Sequence, residues 1–187
     1  SAKALEFLTG LGVKVILNNR VVDFDGEFVY MKDGTKIQSR KVIWAAGVTG
    51  SLVPGMPETS IVRGNRLKVD RFCQVEDVQN IYAIGDIAYM EEEGYPDGHP
   101  QVAQVAIQQA KLLAENLKNK AAGKTLTPFS YRDLGSMATI GRRLAVVYLP
   151  RWKFQGTFAW FVWLFVHLFA IIGSRNRLVV FINWVWN

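Results

Sequence analysis

From Phe154 to Ser174 the chain carries no formal charge over 21 consecutive residues, and the stretch Trp160-Phe161-Val162-Trp163-Leu164-Phe165-Val166-His167-Leu168-Phe169-Ala170-Ile171-Ile172 within it is apolar on nearly every side. A helix of that composition has no polar face to give to water, so it must be covered by something. Three arrangements meet the demand. The first is a buried core helix. The second is a transmembrane span, since 21 residues at ~1.5 Å each just cross a ~30 Å hydrocarbon layer. The third is a helix pair lying in the membrane interface, because a second apolar run, Leu178 to Trp186, comes after Arg175-Asn176-Arg177. The third is favoured: tryptophans are spread along both runs instead of marking the two ends of a span, and basic residues flank them. On this reading Trp160, Trp163, Phe165, Arg175, Arg177 and Trp184 contact the bilayer surface.

The remainder of the chain reads as α/β. Ile81-Tyr82-Ala83-Ile84-Gly85-Asp86 is a β-branched and aromatic run that stops at Gly-Asp, as expected of a buried strand delivering a carboxylate at its carboxyl end. Behind it, Pro100 opens an expected helix over 101–118. Ala103, Ala106, Ala110, Leu113 and Leu117 form its expected packing stripe, and Gln104, Gln108, Lys111 and Glu115 its polar face. Upstream, Ala2 to Leu8 is helix-like and ends at Gly10 and Gly12. Val13 to Leu17 and Lys41 to Gly47 read as strands. Between them Val21 to Phe24 and Phe28 to Met31, with turn signals at Asp25-Gly26 and Asp33-Gly34, read as an antiparallel meander. Leu67 to Asp70 and Gln74 to Asp77 read as a short strand and a turn. Met137 to Ile140 and Leu144 to Leu149 read as a hairpin closed by Gly141-Arg142-Arg143.

Composition narrows the function classes. Half of the residues are apolar, which excludes a disordered chain. One cysteine, Cys73, excludes a disulfide framework or an internal redox pair; its expected state is a small, half-buried residue. His99 is a lone loop histidine without partners at metal-ligand spacing, so no metal site is expected. The acids Glu91, Glu92 and Glu93 read as a solvated loop surface. The net charge of +6 leans toward the end of the chain, among tryptophans and leucines, which suits anionic lipid and argues against nucleic acid. No basic stretch precedes an apolar core at the start, as a secretory signal would require.

Ala46-Gly47, Ile81 to Asp86, Ala103-Gln104-Val105-Ala106-Ile107-Gln108 and Leu134 to Arg142, with the Trp-rich tail behind them, together resemble the type II NADH:quinone oxidoreductases. These are single-subunit, membrane-attached flavoproteins without proton pumping. The Gly-Asp run is common to most flavoprotein reductases with two dinucleotide-binding domains; the Ala-Gln-x-Ala-x-Gln helix joined to this tail is much narrower. No Gly-x-Gly-x-x-Gly occurs, so the amino-terminal half of that family's fold, with its FAD-binding turn, is expected to be missing. The resemblance implies three regions: residues 1–47 from an NADH-binding domain, 48–124 from an FAD-binding domain, and 125–187 as a membrane-associating end. It implies that Asp86, with Gly85, takes the flavin's ribityl chain and that the amides of Val102 and Ala103 face its pyrimidine edge. Ala46 and Gly47 would lie on the nicotinamide side, and Gln104 and Gln108 toward the quinone, with no nucleophile or other catalytic side chain required. The resemblance further implies FAD as cofactor, NADH as substrate, and a membrane quinone and the bilayer as partners. It places the protein monotopically on the cytoplasmic face of the inner membrane and allows a homodimer. The alternatives are a non-catalytic membrane-binding fragment, a soluble dithiol reductase and a sulfide-oxidising quinone reductase. The last two fit poorly, for want of a matching carboxyl-terminal interface and of cysteines.

Overall fold

A computed structural model describes residues 2–170 and 174–186; of the residues in helices, the side chains of 170, 174, 175, 177, 185 and 186 lie outside the description. Two compact units emerge, Ser1–Ile43 with Leu134–Asn187, and Trp44–Asp133.

The first unit starts with α1 (Ala2–Gly10). It ends where Gly12 takes a φ of +80° and Val13 N–H donates back to Leu8 C=O at 3.0 Å, a C-terminal cap that favours glycine. The meander is present as β1 (Val21–Phe24), β2 (Phe28–Met31) and an additional β3 (Lys36–Gln38), antiparallel in that order. Its first turn is closed by Asp25, whose carboxylate accepts the Glu27 and Phe28 amides and the Tyr30 hydroxyl. The Tyr30 hydroxyl, then those amides, hold that carboxyl at about 2. The expected strands at 13–17 and 41–47 are not formed; both segments are irregular, and Ile43 is 94% exposed. Strand propensity cannot act without a neighbour to pair with, and neither segment has one among the described residues.

The carboxyl-terminal part of this unit is a second meander with two helices. β7 (Ser136–Thr139) and β8 (Ala145–Tyr148) form the expected hairpin. A third strand, β9 (Lys153–Gly156), pairs with β8 and takes the first residues of the uncharged run out of the helix. The chain then enters α3 (Thr157–Ala170) and α4 (Ser174–Trp186). Ala159, Trp160 and Trp163 pack α3 onto Ala145 and Val147 of β8. At 14 residues α3 is ~21 Å long, well under a bilayer core. Among the described residues no helix is long and apolar enough to cross a membrane. Ile171 and Ile172, at the end of the apolar run, lie outside the described residues.

The second unit holds β4 (Ile61–Val62), β5 (Arg66–Lys68) and β6 (Ala88–Tyr89), with β5 antiparallel to β4 and parallel to β6. Leu67, Val69, Cys73, Val75, Ala83, Ala88, Met90 and Phe129 form its core. Cys73 is wholly buried, not half-buried. Residues 81–84 are extended but joined to Cys73–Val75 on one edge only, through one isolated bridge and two backbone bonds. They therefore form no strand, since no neighbour on the other edge occurs among the described residues. The helix behind them, α2 (Ala103–Ala121), starts three residues after Pro100. Val102 N–H donates to Pro100 C=O at 3.0 Å, so the proline shapes a turn ahead of the helix instead of occupying its first turn.

Candidate functional site

The Gly85-Asp86-Ile87 segment is a single 3-10 turn at the end of the extended run. Gly85 adopts a φ of +71°, and a Cβ placed on it would lie 3.1 Å from the Cβ of Ala106. Both the backbone geometry and the close approach of α2 demand glycine here. Two amide side chains from the helix region hold the turn. Gln109 Oε1 accepts the Gly85 N–H at 2.7 Å, and Gln101 Nε2 donates to Asp86 C=O at 2.9 Å. The turn is thus fixed by its backbone, leaving the exposed Asp86 carboxylate without a hydrogen bond among the described residues.

Gln109 is a residue that sequence pattern does not single out. It is 1% exposed, and it faces inward with Val105 and Asn116. The expected stripe is rotated: Ala103, Ala110 and Leu117 are exposed, whereas Val105, Gln109, Leu112, Leu113 and Asn116 turn toward the protein. Spacings of three and four run through the second set as well. Two of its members are amides, which is why apolarity alone points to the wrong face. Asn116 satisfies itself by exchanging two hydrogen bonds with the Thr127 backbone.

At the amino end of α2, Val102 caps the helix without a side-chain hydrogen bond. Its own N–H is used by Pro100, so of the two expected amides only that of Ala103 makes no hydrogen bond among the described residues. Helix-end donors of this kind carry partial positive charge. Gln104 Nε2 lies 3.4 Å from Asp133 Oδ1. Gln108 is fully engaged: its Nε2 donates to Arg132 C=O at 2.9 Å and its Oε1 accepts Arg132 N–H at 3.1 Å. It straps the segment around Arg132 to the helix. Ala46 and Gly47 lie in the exposed irregular stretch before residue 50, and no hydrogen bond ties them to the Gly85 turn.

The acidic loop holds the largest departure from expectation. Glu92 is the centre of a buried network, not a solvated surface acid. Its carboxylate meets His99 Nε2 at 2.8 Å, Arg71 Nη2 at 3.0 Å and the Tyr131 N–H at 3.0 Å. His99 is 1% exposed, ringed by Tyr95, Phe129 and Tyr131 at centroid separations of 5.1–5.5 Å. Arg71 also donates to Phe129 C=O. Burial pushes the Glu92 carboxyl up, but the Tyr131 amide, His99, Ser130 and the Arg71 charge outweigh it and hold it below the usual range. Spacing within a loop gives no hint of this, because three of the partners come from more than 20 residues away.

In the tail, Trp160 and Trp163 turn onto the sheet and Trp184 lies 5.3 Å from Trp163. These three rings, expected at the bilayer surface, are half-buried. The exposed face carries Phe158, Phe161, Phe165 and Phe169, each more than half exposed. Arg175 and Arg177 sit on α4, with side chains outside the described residues.

The residues at the turn fit a polyol-bearing ring cofactor. They offer an open carboxylate for hydroxyls, an uncommitted helix-end amide, and a buried Gln109 Nε2 with no protein partner. The sequence profile of the pyridine nucleotide-disulphide oxidoreductases matches residues 1–110, and that of the NDH2 C-terminal domain matches residues 134–187. The type II NADH:quinone oxidoreductase Ndh of Mycobacterium tuberculosis is 36% identical over 97% of this chain. The mitochondrial internal alternative NAD(P)H-ubiquinone oxidoreductase A1 of Arabidopsis thaliana is 33% identical over the same share. The chain spans about 40% of the length of these relatives. In fold, it is similar to NDH2 from Plasmodium falciparum in complex with NADH, with a TM-score of 0.86 at 20% identity over 99% of this chain and 53% of that one. The sulfide:quinone oxidoreductase of Aquifex aeolicus gives 0.65 at 16% identity, over 86% of this chain and 42% of that one.

Proposed function

This chain belongs to the pyridine nucleotide-disulphide oxidoreductase family, with type II NADH:quinone oxidoreductases among its homologues, and from that premise we propose that the protein carrying it oxidises NADH and reduces a membrane quinone through FAD, without pumping protons. The observation that carries the reading is the Gly85-Asp86 turn, held by Gln109 and Gln101 against α2.

Bound FAD would supply the two-electron chemistry, taking a hydride equivalent from NADH and passing two electrons to the quinone. The chain's own residues hold and bias it. Asp86 accepts hydroxyl groups of the ribityl chain, for which a carboxylate is suited and by which a phosphate would be repelled. The Ala103 amide, at the positive end of α2, favours negative charge on the ring edge that it faces. Gln109 keeps the turn in place and has a donor to spare. Gln104 is the residue offered to a quinone carbonyl. Gln108 acts indirectly, by holding the Arg132 backbone.

The quinone lives in the bilayer, so the protein has to meet it there. The segment 134–187 has six basic and no acidic residues, and α3 shows an exposed phenylalanine face. Together these support a monotopic attachment through this segment; the cytoplasmic face of the inner membrane is proposed from the family resemblance alone.

The test is the purified full-length gene product with NADH and a short-chain ubiquinone. Flavin absorbance, NADH-dependent quinone reduction, and loss of bound flavin in Asp86→Ala are expected. A preparation that binds no flavin, or that bleaches with NADH but leaves every quinone oxidised, would overturn the proposal.

A further inference from the structure

Between the tip of the β7–β8 hairpin and the helices α3 and α4 lies a cleft of about 890 Å³, within the ~300–1,000 Å³ range of small-molecule sites. Its lining is mainly aromatic, with Trp160, Trp163, Phe181 and Trp184, and also includes Arg142 and Arg143. Both arginines are exposed, and neither makes an ion pair among the described residues. No acidic residue exists anywhere in 134–187 to serve them. An aromatic cleft whose lining includes two unpaired guanidiniums calls for a ligand with an apolar body and an anionic head.

We propose that this cleft is a binding site for one anionic phospholipid, its acyl chain lying against Trp160, Trp163 and Trp184 and its phosphate on Arg142 and Arg143. Guanidinium groups bind phosphate oxygens in pairs, with planar geometry, and hold them better than a lysine would. Charge decides against the other occupants. A quinone could accept hydrogen bonds from the two arginines but carries no charge to neutralise them, whereas a phosphate does both. The same segment of a second copy would bring no acidic residue to pair with the two arginines. The site also gives the inward-turned tryptophans a role that outward anchoring does not. The inference rests on reading α3 and α4 as membrane-facing elements, and adds to it a defined lipid at a defined place.

The experiment uses the full-length gene product with phosphatidylcholine vesicles containing a minor share of phosphatidylglycerol that carries a photoreactive acyl chain. Cross-links are expected in the peptides spanning Trp160–Leu164 and Phe181–Trp184. The variant Arg142→Gln/Arg143→Gln is expected to lose these cross-links and to bind phosphatidylglycerol vesicles roughly 30-fold more weakly, at ~1 kcal/mol per arginine near an anionic surface. The control Arg151→Gln/Lys153→Gln removes equal charge outside the cleft and should weaken binding without moving the cross-links. NADH oxidation with a soluble acceptor should be unchanged in both. Labelling spread evenly over Phe158, Phe165 and Phe169, cross-links retained in Arg142→Gln/Arg143→Gln, or displacement of the lipid by excess quinone would each overturn the site while leaving membrane attachment intact. Failure to bind vesicles of either composition would instead overturn the attachment on which the site depends.

Discussion

Gln109 Oε1 accepts the backbone N–H of Gly85 at 2.7 Å, so a fully buried helix side chain sets the position of the turn that presents Asp86. Gln109→Leu keeps the volume but leaves the Gly85 donor unpaired, at a cost of about 1–3 kcal/mol. The full-length variant is expected to release flavin at a lower urea concentration, read by the rise in flavin fluorescence, with global unfolding changed much less. Coincident loss of flavin and fold, at the wild-type midpoint, would show that Gln109 does not position the turn.

Gly85→Ala meets two obstacles, a φ of +71° and a Cβ contact of 3.1 Å with Ala106. The expected loss is about 1–3 kcal/mol. Pairing it with Ala106→Gly removes the contact but not the backbone strain, so thermal denaturation should show only partial recovery. Full recovery would mean that the contact alone dictates glycine.

The Glu92 network makes stability depend on acid. Because the folded carboxyl lies below its ordinary value, it contributes stability above the unfolded value of about 4.3, and this is lost as pH falls through the folded one. Glu92→Gln should cost about 2–3 kcal/mol near neutral pH by breaking a buried network. Its urea midpoint should fall less steeply than that of the wild type as the pH drops from about 5 to 3. Equal slopes would remove Glu92 from the acid response.

Cys73 is fully buried, and burial pushes its thiol up to about 11. Alkylation at neutral pH should therefore require unfolding, since the thiolate is the reactive form. Rapid labelling of the native protein by iodoacetamide would contradict this.

Phe158 and Phe165 are 68% and 60% exposed and lie outside the aromatic cleft. Phe158→Ser/Phe165→Ser should leave thermal stability within about 0.5 kcal/mol. Binding to vesicles should weaken at least about tenfold whatever their charge, since inserted phenylalanine contributes about 1.5–3 kcal/mol. Unchanged vesicle binding would move the docking face elsewhere.

Local pattern is enough for those elements whose partners lie nearby in the chain. The first meander and the 136–148 hairpin are legible because alternation, Asp-Gly turns and a short loop act within a few residues. α1 and α2 are legible as helices for the same reason. The strands expected at 13–17, 41–47 and 81–84 are not formed, since pairing needs a neighbour that no local preference supplies.

The sequence by itself determined that a Gly-Asp turn stands before a glutamine-rich helix, and that a long uncharged, basic-flanked tail comes after it. Backbone sterics at glycine and the absence of charge leave little freedom in either. Only the tertiary structure decided which side chains serve them. It turned Gln109 inward and tied Gln108 to Arg132, because helix rotation is set by what the whole face meets and buried amides can satisfy one another's backbone. It divided the tail into a strand and two short helices, with Trp160 and Trp163 packed on the sheet and Phe158, Phe161, Phe165 and Phe169 exposed. The third strand completes a sheet on which only one face of α3 can pack.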